Sequence, residues 1–137
     1  MKDIRRDLGL AGEDTAAAVV DEAGLTVLGR NWRDGRRGEI DLIAADPASG
    51  TIVVIEVKTR VGNRLGSALE AVDSRKLRRL RGLGGAWLRA TGTRARARVD
   101  AIAITVPDRA SARRAVADRM TDLRECGARI DWVEGLS

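Results

Sequence analysis

The residues best suited to chemistry are three charged side chains at the ends of two apolar runs. Asp41 lies within the run Ile40–Ile43, and Glu56 and Lys58 follow the run Ile52–Ile55. Side chains two positions apart on a strand share a face, so Glu56 and Lys58 are expected to point the same way. If the two runs pair as neighbouring strands across the short turn between them, Asp41 and Glu56 converge at one end of a sheet.

Such a pair of carboxylates is suited to binding a metal ion. Two carboxylates held close together in a partly dry site repel each other, and a divalent cation relieves that repulsion. Oxygen ligands without histidine favour Mg²⁺ or Mn²⁺. Lys58 beside such an ion would orient a water molecule or stabilise developing negative charge. The pattern therefore predicts hydrolysis of phosphodiester bonds, although a Glu-x-Lys pair by itself is usually a solvated ion pair.

The net charge indicates the kind of partner. The 137 residues include 25 Lys and Arg against 20 Asp and Glu, a net charge of +5, and most of the cations are arginine. Arginine suits bidentate contacts with phosphate, so a basic domain of this kind is a candidate for binding nucleic acid. The alternative interpretation is that the charge only keeps a small protein in solution.

The residue types that are missing exclude several classes of enzyme. The sequence has no histidine, tyrosine or phenylalanine and only three tryptophans. Histidine-based metal sites, Ser-His-Asp triads and Cys-His pairs are therefore excluded. Three tryptophans are too few for an aromatic platform that stacks bases, and no phosphate-binding P-loop is present.

The cysteine content and the hydropathy of the sequence indicate the cellular compartment. Cys126 is the only cysteine, so no disulfide framework is possible and a reducing cytoplasm is the expected location. No apolar run approaches the roughly 20 residues of a membrane span, and the first residues lack the apolar core of a secretion signal. We expect a cytoplasmic protein without membrane association.

Hydrophobic periodicity predicts an α/β order within one domain over residues 1–137. Helices are predicted at 10–23 and 67–90, and the charged stretch 108–126 is interpreted as a mobile surface helix over 108–125. Strands are predicted at Leu25–Trp32, Glu39–Ala44, Thr51–Thr59, Val99–Val106 and Ile130–Val133. The third strand is apolar on both faces, which is typical of a central strand between two layers of helices.

Several motifs occur together in a recognisable order. They are Gly12-Glu13, Arg30-Asn31-Trp32-Arg33, Gly38-Glu39-Ile40-Asp41-Leu42-Ile43, Glu56-Val57-Lys58-Thr59-Arg60, Lys76 and Arg98-Val99-Asp100. The ordered set, over about residues 8–106, resembles the PD-(D/E)xK nuclease superfamily. More closely, it is similar to the small bacterial YraN-like proteins, which are related to Holliday junction resolvases.

This resemblance implies a fold and a set of site residues. The fold would be restriction endonuclease-like, an α/β fold with a central mixed β-sheet of four to five strands flanked by helices. Asp41 and Glu56 correspond to metal-binding carboxylates and Lys58 to the catalytic lysine. Glu13 matches a helical glutamate that faces the metal site in resolvase relatives. Ile40 replaces the proline that names the motif, a substitution usual in the close family.

The resemblance also implies an activity and partners. We expect a metal-dependent DNA endonuclease that uses Mg²⁺ or Mn²⁺, acts on branched or otherwise structured DNA, and forms a homodimer as resolvase relatives do. The residues expected to contact nucleic acid are Arg60, Thr59, Lys76 and Arg33. We also expect Glu39 to pair with an arginine and Asp100 to anchor Arg98 or a loop. Trp32 and Trp87 are expected to lie in the core.

Two other functions stay open at this point. One is a non-catalytic nucleic-acid-binding module on the same fold, and the other is a structural protein whose basic surface binds an acidic partner. A pure binder has no reason to crowd carboxylates against phosphates, so the set of Asp41, Glu56 and Lys58 argues against the first. The second predicts no salt-dependent affinity for DNA.

Overall fold

The described part of the chain is built around a five-stranded sheet. The structure is a computed structural model, and it describes residues 3–62, 70 and 72–137. Within these residues the strands are β1 Thr26–Arg33, β2 Glu39–Asp46, β3 Thr51–Val61, β4 Ala97–Val106 and β5 Arg129–Val133. The helices are α1 Arg5–Glu22, α2 Ser74–Thr91 and α3 Arg109–Ala117, with 3₁₀ turns at Gly35–Arg37 and Leu123–Cys126.

The strands follow one another across the sheet in chain order. β1, β2 and β3 pair antiparallel, β3 and β4 pair parallel, and β4 and β5 pair antiparallel. The parallel pair requires a crossover connection, and α2 lies in that connection. The predicted fold class, α/β with a central mixed sheet of four to five strands flanked by helices, is confirmed. β3 lies at the centre, as its continuous apolar run predicts.

Helices cover both faces of the sheet and divide the core in two. On one side, α1 and α3 pack against the face that carries Val53 and Ile55 of β3. On the other side, α2 packs against the face that carries Ile52 and Val54. Trp87 of α2 is buried in this second core, as expected, and Trp32 packs against its edge.

Helix α2 owes its boundaries to residues at its two ends. The Asp73 side chain accepts a hydrogen bond from the Lys76 backbone N–H at 2.8 Å, and Gly92 ends the helix in a left-handed conformation with φ of 66°. The predicted helix spanned 67–90. Its stretch at 67–69 and residue 71 lie outside the described residues, and the helix itself is confirmed from Ser74 onward.

The helix that follows β4 is shorter than predicted. The expected helix over 108–125 ends at Ala117, and a 3₁₀ turn follows at Leu123–Cys126. The Leu123 N–H donates to the Thr15 hydroxyl of α1 at 2.8 Å, and Arg124 pairs with Glu22 of α1 at 2.7 Å. The single long helix was therefore a wrong prediction, because the alternation of charge and alanine does not show where the chain turns back onto α1.

Asp100 on β4 is buried and anchors the end of the chain. Its carboxylate is 0% exposed and accepts hydrogen bonds from Arg98 Nε at 3.1 Å, Trp132 Nε1 at 3.0 Å and the Gly135 N–H at 2.9 Å. A buried carboxylate needs such partners to offset its loss of hydration. The expectation that Asp100 anchors Arg98 or a loop is confirmed.

No helix in the described ranges is long and apolar enough to cross a membrane.

The remaining element predictions agree with the structure at the level of strand and helix identity. α1 begins at Arg5, five residues before its predicted start, since its first turns carry few apolar side chains to signal a helix. β3 continues to Val61, two residues beyond its predicted end.

Candidate active site

The candidate site lies where the pairing of β2 and β3 stops. The two strands pair from Asp46 opposite Thr51 to Leu42 opposite Ile55, and the next residues along each strand are Asp41 and Glu56. At this point the Val57 N–H donates to the Asp41 Oδ2 atom at 2.8 Å. The Asp41 side chain thus takes the place of a backbone acceptor, and Asp41 and Glu56 meet at the same end of the sheet.

Asp41 also occupies a break in the regular alternation of β2. Ile40 and Ile43 both pack in the core on the α2 side, whereas Leu42 packs on the α1 side. The register of β1 and β2 puts Asn31 opposite Asp41, and Asn31 has a left-handed φ of 53°. Positive φ is uncommon outside glycine, although asparagine tolerates it better than most residues. The two strands therefore leave the regular pleat together at the site.

Four carboxylates gather around this break, and we call them the acidic cluster: Glu13 of α1, Glu39 and Asp41 of β2, and Glu56 of β3. The pKa of Asp41 is raised from 3.8 to about 7. Burial is the largest cause, followed by the negative charge of Glu56, with smaller contributions from Glu13 and Glu39. The hydrogen bond from Val57 acts in the opposite direction. Close negative charges in a partly dry site thus disfavour the ionised form of Asp41.

Glu13 reaches the cluster because α1 approaches β3 very closely. A Cβ atom on Gly12 would collide with the Thr59 hydroxyl, so only glycine allows this contact. The next residue, Glu13, is half-buried, and its pKa is raised chiefly by burial and also by the charge of Glu39. Thr59, a predicted nucleic-acid contact, here packs against the helix that carries Glu13.

Asn31 links two members of the acidic cluster. With its amide turned so that nitrogen faces the carboxylates, Nδ2 donates to Glu39 Oε1 at 2.7 Å and to Glu13 Oε1 at 3.1 Å. Asn31 belongs to a motif that the sequence resemblance contains, but no role was predicted for it. The signal available in the sequence was an asparagine within a predicted strand, where this residue is depleted.

Two basic residues that were predicted to contact nucleic acid pair with members of the acidic cluster. Lys76 Nζ lies 2.7 Å from Glu56 Oε1, with the two side chains 30% and 13% exposed. Arg33 Nε lies 3.2 Å from Glu39 Oε2. The expected pairing of Glu39 with an arginine is confirmed. Both cations lie beside the site, and each neutralises one carboxylate.

Lys58 is exposed and lies two residues beyond Glu56 on β3. Together with Glu13, Arg60 and Arg5, it lines a cleft of about 420 Å³ between α1 and the second half of β3. Side chains at this spacing on a strand are expected to share a face, so the expectation that Glu56 and Lys58 project in the same direction stays a prediction. The lysine is therefore free of the core and faces solvent beside the carboxylates.

The site offers only oxygen ligands, which hard cations prefer, but these oxygen atoms do not converge on one point. Among residues 3–62, 70 and 72–137, no three acidic, cysteine or histidine side chains converge closely enough to hold a metal ion. Asp41 and Glu56 nevertheless offer only oxygen atoms, and their mutual repulsion is of the kind that a divalent cation relieves. The chemistry of the donor set fits Mg²⁺ or Mn²⁺.

A known protein family matches the part of the chain that contains this site. The model of the family described as "Uncharacterised protein family UPF0102" matches residues 12–104. The chain belongs to the UPF0102 family. This is the YraN-like family that the sequence motifs resemble. The matched region of the UPF0102 chain contains the acidic cluster, Asn31, Lys58 and Lys76.

Bacterial relatives show the same family membership over most of their length. A UPF0102 protein of Mycobacterium tuberculosis (strain ATCC 25177 / H37Ra) is 46% identical over 110 residues, which cover 80% of this chain and 85% of that protein. A UPF0102 protein of Mycolicibacterium smegmatis is 46% identical over 103 residues, covering 74% of this chain and 82% of that protein.

A comparison with solved structures matches the chain to the structure titled "Structure of EndoMS-dsDNA2 complex". The two proteins are 20% identical with a TM-score of 0.41, and the match covers 65% of the UPF0102 chain and 35% of EndoMS. The chain thus spans about a third of the length of that protein.

Proposed function

We propose that this UPF0102 protein is a metal-dependent DNA endonuclease in which Asp41 and Glu56 hold the metal ion and Lys58 is the catalytic lysine. The observation that carries the proposal is the meeting of Asp41 and Glu56 where the β2–β3 pairing stops, with the pKa of Asp41 raised to about 7. The net charge of the protein is +5, yet four carboxylates gather at this site. Perturbed carboxylates beside a cleft are typical of functional sites.

The carboxylates would bind Mg²⁺ or Mn²⁺, with Glu13 contributing directly or through water. When bound, the ion supplies Lewis-acid activation of the phosphodiester and of the attacking water. The Val57 N–H holds one oxygen of Asp41 at 2.8 Å, which orients the carboxylate before any ion arrives. Lys76 Nζ lies 2.7 Å from Glu56 Oε1, so its positive charge would oppose binding of an ion at that carboxylate.

Lys58 would act on the substrate rather than on the fold. Its side chain is exposed beside Glu56 and is not needed to fill the core. An ammonium group there can donate to a phosphate oxygen as negative charge develops, or can orient the attacking water. Loss of one preorganised donor of this kind typically lowers the rate by about 10²- to 10³-fold.

Arginine and lysine residues around the cleft would bind the phosphate backbone. Arg60 lines the cleft with Lys58. Arg33 and Lys76 lie beside the site, and each would exchange its carboxylate partner for a phosphate oxygen or for solvent. Exposed arginines on α2 extend the basic surface away from the cleft: Arg75, Arg78, Arg79 and Arg81. The resemblance to resolvases supports branched or otherwise structured DNA as the substrate and a homodimer as the assembly.

The decisive experiment is a cleavage assay with three proteins. Wild type, Lys58→Met and Arg96→Met are incubated with linear duplex, flap and four-way junction DNA in the presence of Mg²⁺ or Mn²⁺. Arg96 is exposed, and its backbone carbonyl accepts a hydrogen bond from the Ile52 N–H at the opposite end of β3. Arg96→Met therefore removes one positive charge, as Lys58→Met does, but away from the candidate site. Wild type and Arg96→Met should cleave, and Lys58→Met should be slower by about 10²-fold or more.

The other outcomes separate the competing functions. Equal trace cleavage by all three proteins would indicate a contaminant and reject the catalytic proposal. Salt-dependent DNA binding without cleavage by wild type would support a non-catalytic nucleic-acid-binding module. Absence of both would support a protein whose basic surface binds an acidic partner. Sedimentation analysis of the protein with and without junction DNA tests the homodimer.

A further inference from the structure

The contacts of Asn31 involve charged groups of two different elements. Its side chain is exposed, and it bridges two carboxylates, Glu13 of α1 and Glu39 of β2. Its backbone has a left-handed φ of 53° within a strand. Most residues adopt that conformation only at a cost, and such outliers are often found at functional sites.

We propose that Asn31 is a positioning residue that holds the Glu13 side chain beside Glu39 at the acidic cluster, from where Glu13 would join Asp41 and Glu56 when a divalent cation binds. The inference rests on the proposed function and deepens it. An asparagine amide nitrogen carries two hydrogens, which is the minimum needed to donate to two separate carboxylates. The amide thereby joins two groups of like charge that would otherwise move apart.

Glu39 and Glu13 are bound in different ways by this arrangement. Glu39 is held at both oxygens, by Asn31 at Oε1 and by Arg33 at Oε2. Its charge is balanced by the guanidinium, and it serves as an anchor for the amide. Glu13 is held by Asn31 through Oε1, while Gly12 brings the helix backbone against Thr59. Asn31 therefore fixes the Glu13 side chain, and the close helix contact fixes its backbone.

Because the backbone of Asn31 is left-handed, glycine can replace this residue without backbone strain. Glycine adopts positive φ without steric cost, so Asn31→Gly permits the same strand geometry and removes the side chain with its amide. Groups that orient a metal ligand typically contribute 10- to 100-fold to metal affinity. We expect Asn31→Gly to weaken Mn²⁺ binding by about 10-fold or more, measured by calorimetric titration in the absence of DNA.

A double-mutant cycle distinguishes positioning from a general structural role. Mn²⁺ affinity is measured for wild type, Asn31→Gly, Glu13→Gln and the double variant. If Asn31 acts through Glu13, its removal costs affinity in the wild-type background and almost nothing in the Glu13→Gln background. Thermal unfolding of all four proteins in EDTA records any loss of the fold separately from loss of the ion.

Each result has one meaning for the inference. If wild type binds no Mn²⁺, the proposed function fails and the inference fails with it. If wild type binds Mn²⁺ and Asn31→Gly binds it equally well, the inference alone is overturned. The same conclusion follows if the cost of Asn31→Gly persists in the Glu13→Gln background. Should the glycine variant not fold, Asn31→Ser, whose hydroxyl is too short to bridge both carboxylates, is taken through the same cycle.

Discussion

The Nζ atom of Lys76 on α2 lies 2.7 Å from the Oε1 atom of Glu56 on β3. This ion pair puts a positive charge on a carboxylate that the proposed function assigns to a metal ion. Under the proposed function, Lys76 and a divalent cation would therefore compete for Glu56. The lysine also keeps one charge of the acidic cluster neutralised when no ion is bound, which lowers the cost of assembling the site.

The first prediction follows from this competition. Lys76→Gln should bind Mn²⁺ more tightly than wild type, by about fivefold or more, because a neighbouring positive charge that repels the ion has been removed. A unit charge at about 4 Å changes the energy by roughly 1 to 4 kcal/mol near a protein surface. Calorimetric titration at low ionic strength measures the change.

Arg78→Gln is the matched control for Lys76→Gln. Arg78 is exposed on the same helix, two residues along, so its loss changes the net charge equally without freeing Glu56. Its Mn²⁺ affinity should stay close to that of wild type, and Asp41→Ala should lose binding. Weaker binding by Lys76→Gln would show that the lysine supports the ion rather than competing with it.

The second prediction concerns the pH dependence of stability. The folded pKa of Asp41 is raised to about 7 from an ordinary value of 3.8. Between these values the unfolded chain loses the proton and the folded protein retains it, so the free energy of unfolding falls as pH rises from about 4 to 7. Asp41→Asn stays neutral and can still accept from Val57. In EDTA at pH 8 it should be more stable than wild type by about 1–3 kcal/mol.

Urea unfolding at pH 4.5 and pH 8 measures this difference. The advantage of Asp41→Asn should shrink at the lower pH, where most of the wild-type carboxyl is protonated. Asp118→Asn is the control, since it removes an exposed carboxyl at the end of α3. An Asp41→Asn protein that is no more stable than wild type at pH 8 would contradict the burial of charge at the site.

The third prediction tests the close contact between α1 and β3. A Cβ atom at Gly12 would collide with Thr59, whereas one at Gly9 on the same helix would meet nothing within 4 Å. Gly12→Ala should lower the free energy of unfolding by about 1–3 kcal/mol, the usual cost of overpacking. Gly9→Ala should raise it by about 0.5–1 kcal/mol, because alanine favours a helix over glycine.

Denaturant unfolding of the two alanine variants gives the comparison directly. A third protein, Gly12→Ala with Thr59→Ala, should recover much of the lost stability, since the colliding hydroxyl is gone. If Gly12→Ala and Gly9→Ala have the same stability, the helix is free to move away from β3. Glu13 would then be held by Asn31 alone.

The fourth prediction concerns DNA affinity. Phosphate contacts release counterions, so the logarithm of the binding constant should fall linearly with the logarithm of salt concentration. Arg60→Gln should reduce the magnitude of that slope by about 0.9 for duplex DNA, the value for one lost contact. Fluorescence anisotropy over a salt series measures it, with Arg96→Gln as the control of equal charge. An affinity independent of salt would remove the electrostatic basis of the interaction.

The parts of the fold that the sequence predicts well are those controlled by local patterns. β3 is apolar on both faces, and this alone places it at the centre between two helical layers. The short turn between β2 and β3 limits their pairing to a few registers, so Asp41 and Glu56 had to meet near one end of the sheet. Both inferences use residues that are neighbours in the chain.

The parts that were missed depend on contacts between distant elements. The pairing of Lys76 with Glu56 requires knowledge of how α2 lies on the sheet, which helix periodicity does not contain. The break in alternation at Asp41 lies opposite the left-handed backbone of Asn31 on the neighbouring strand. Strict alternation was assumed for both strands, and no hydrophobic pattern marks where it stops.

The short connection between β2 and β3 also bears on how the site assembles during folding. Asp41 and Glu56 are fifteen residues apart in the chain, and their strands turn back on each other directly. The entropy lost on closing a loop grows only with the logarithm of its length, so the two carboxylates meet through one of the least costly encounters in the molecule. β4 instead pairs with β3 in parallel only after the long connection that contains α2 has crossed over the sheet, which is a slower search. Asp41 and Glu56 therefore belong to a hairpin whose two strands are joined by a short loop.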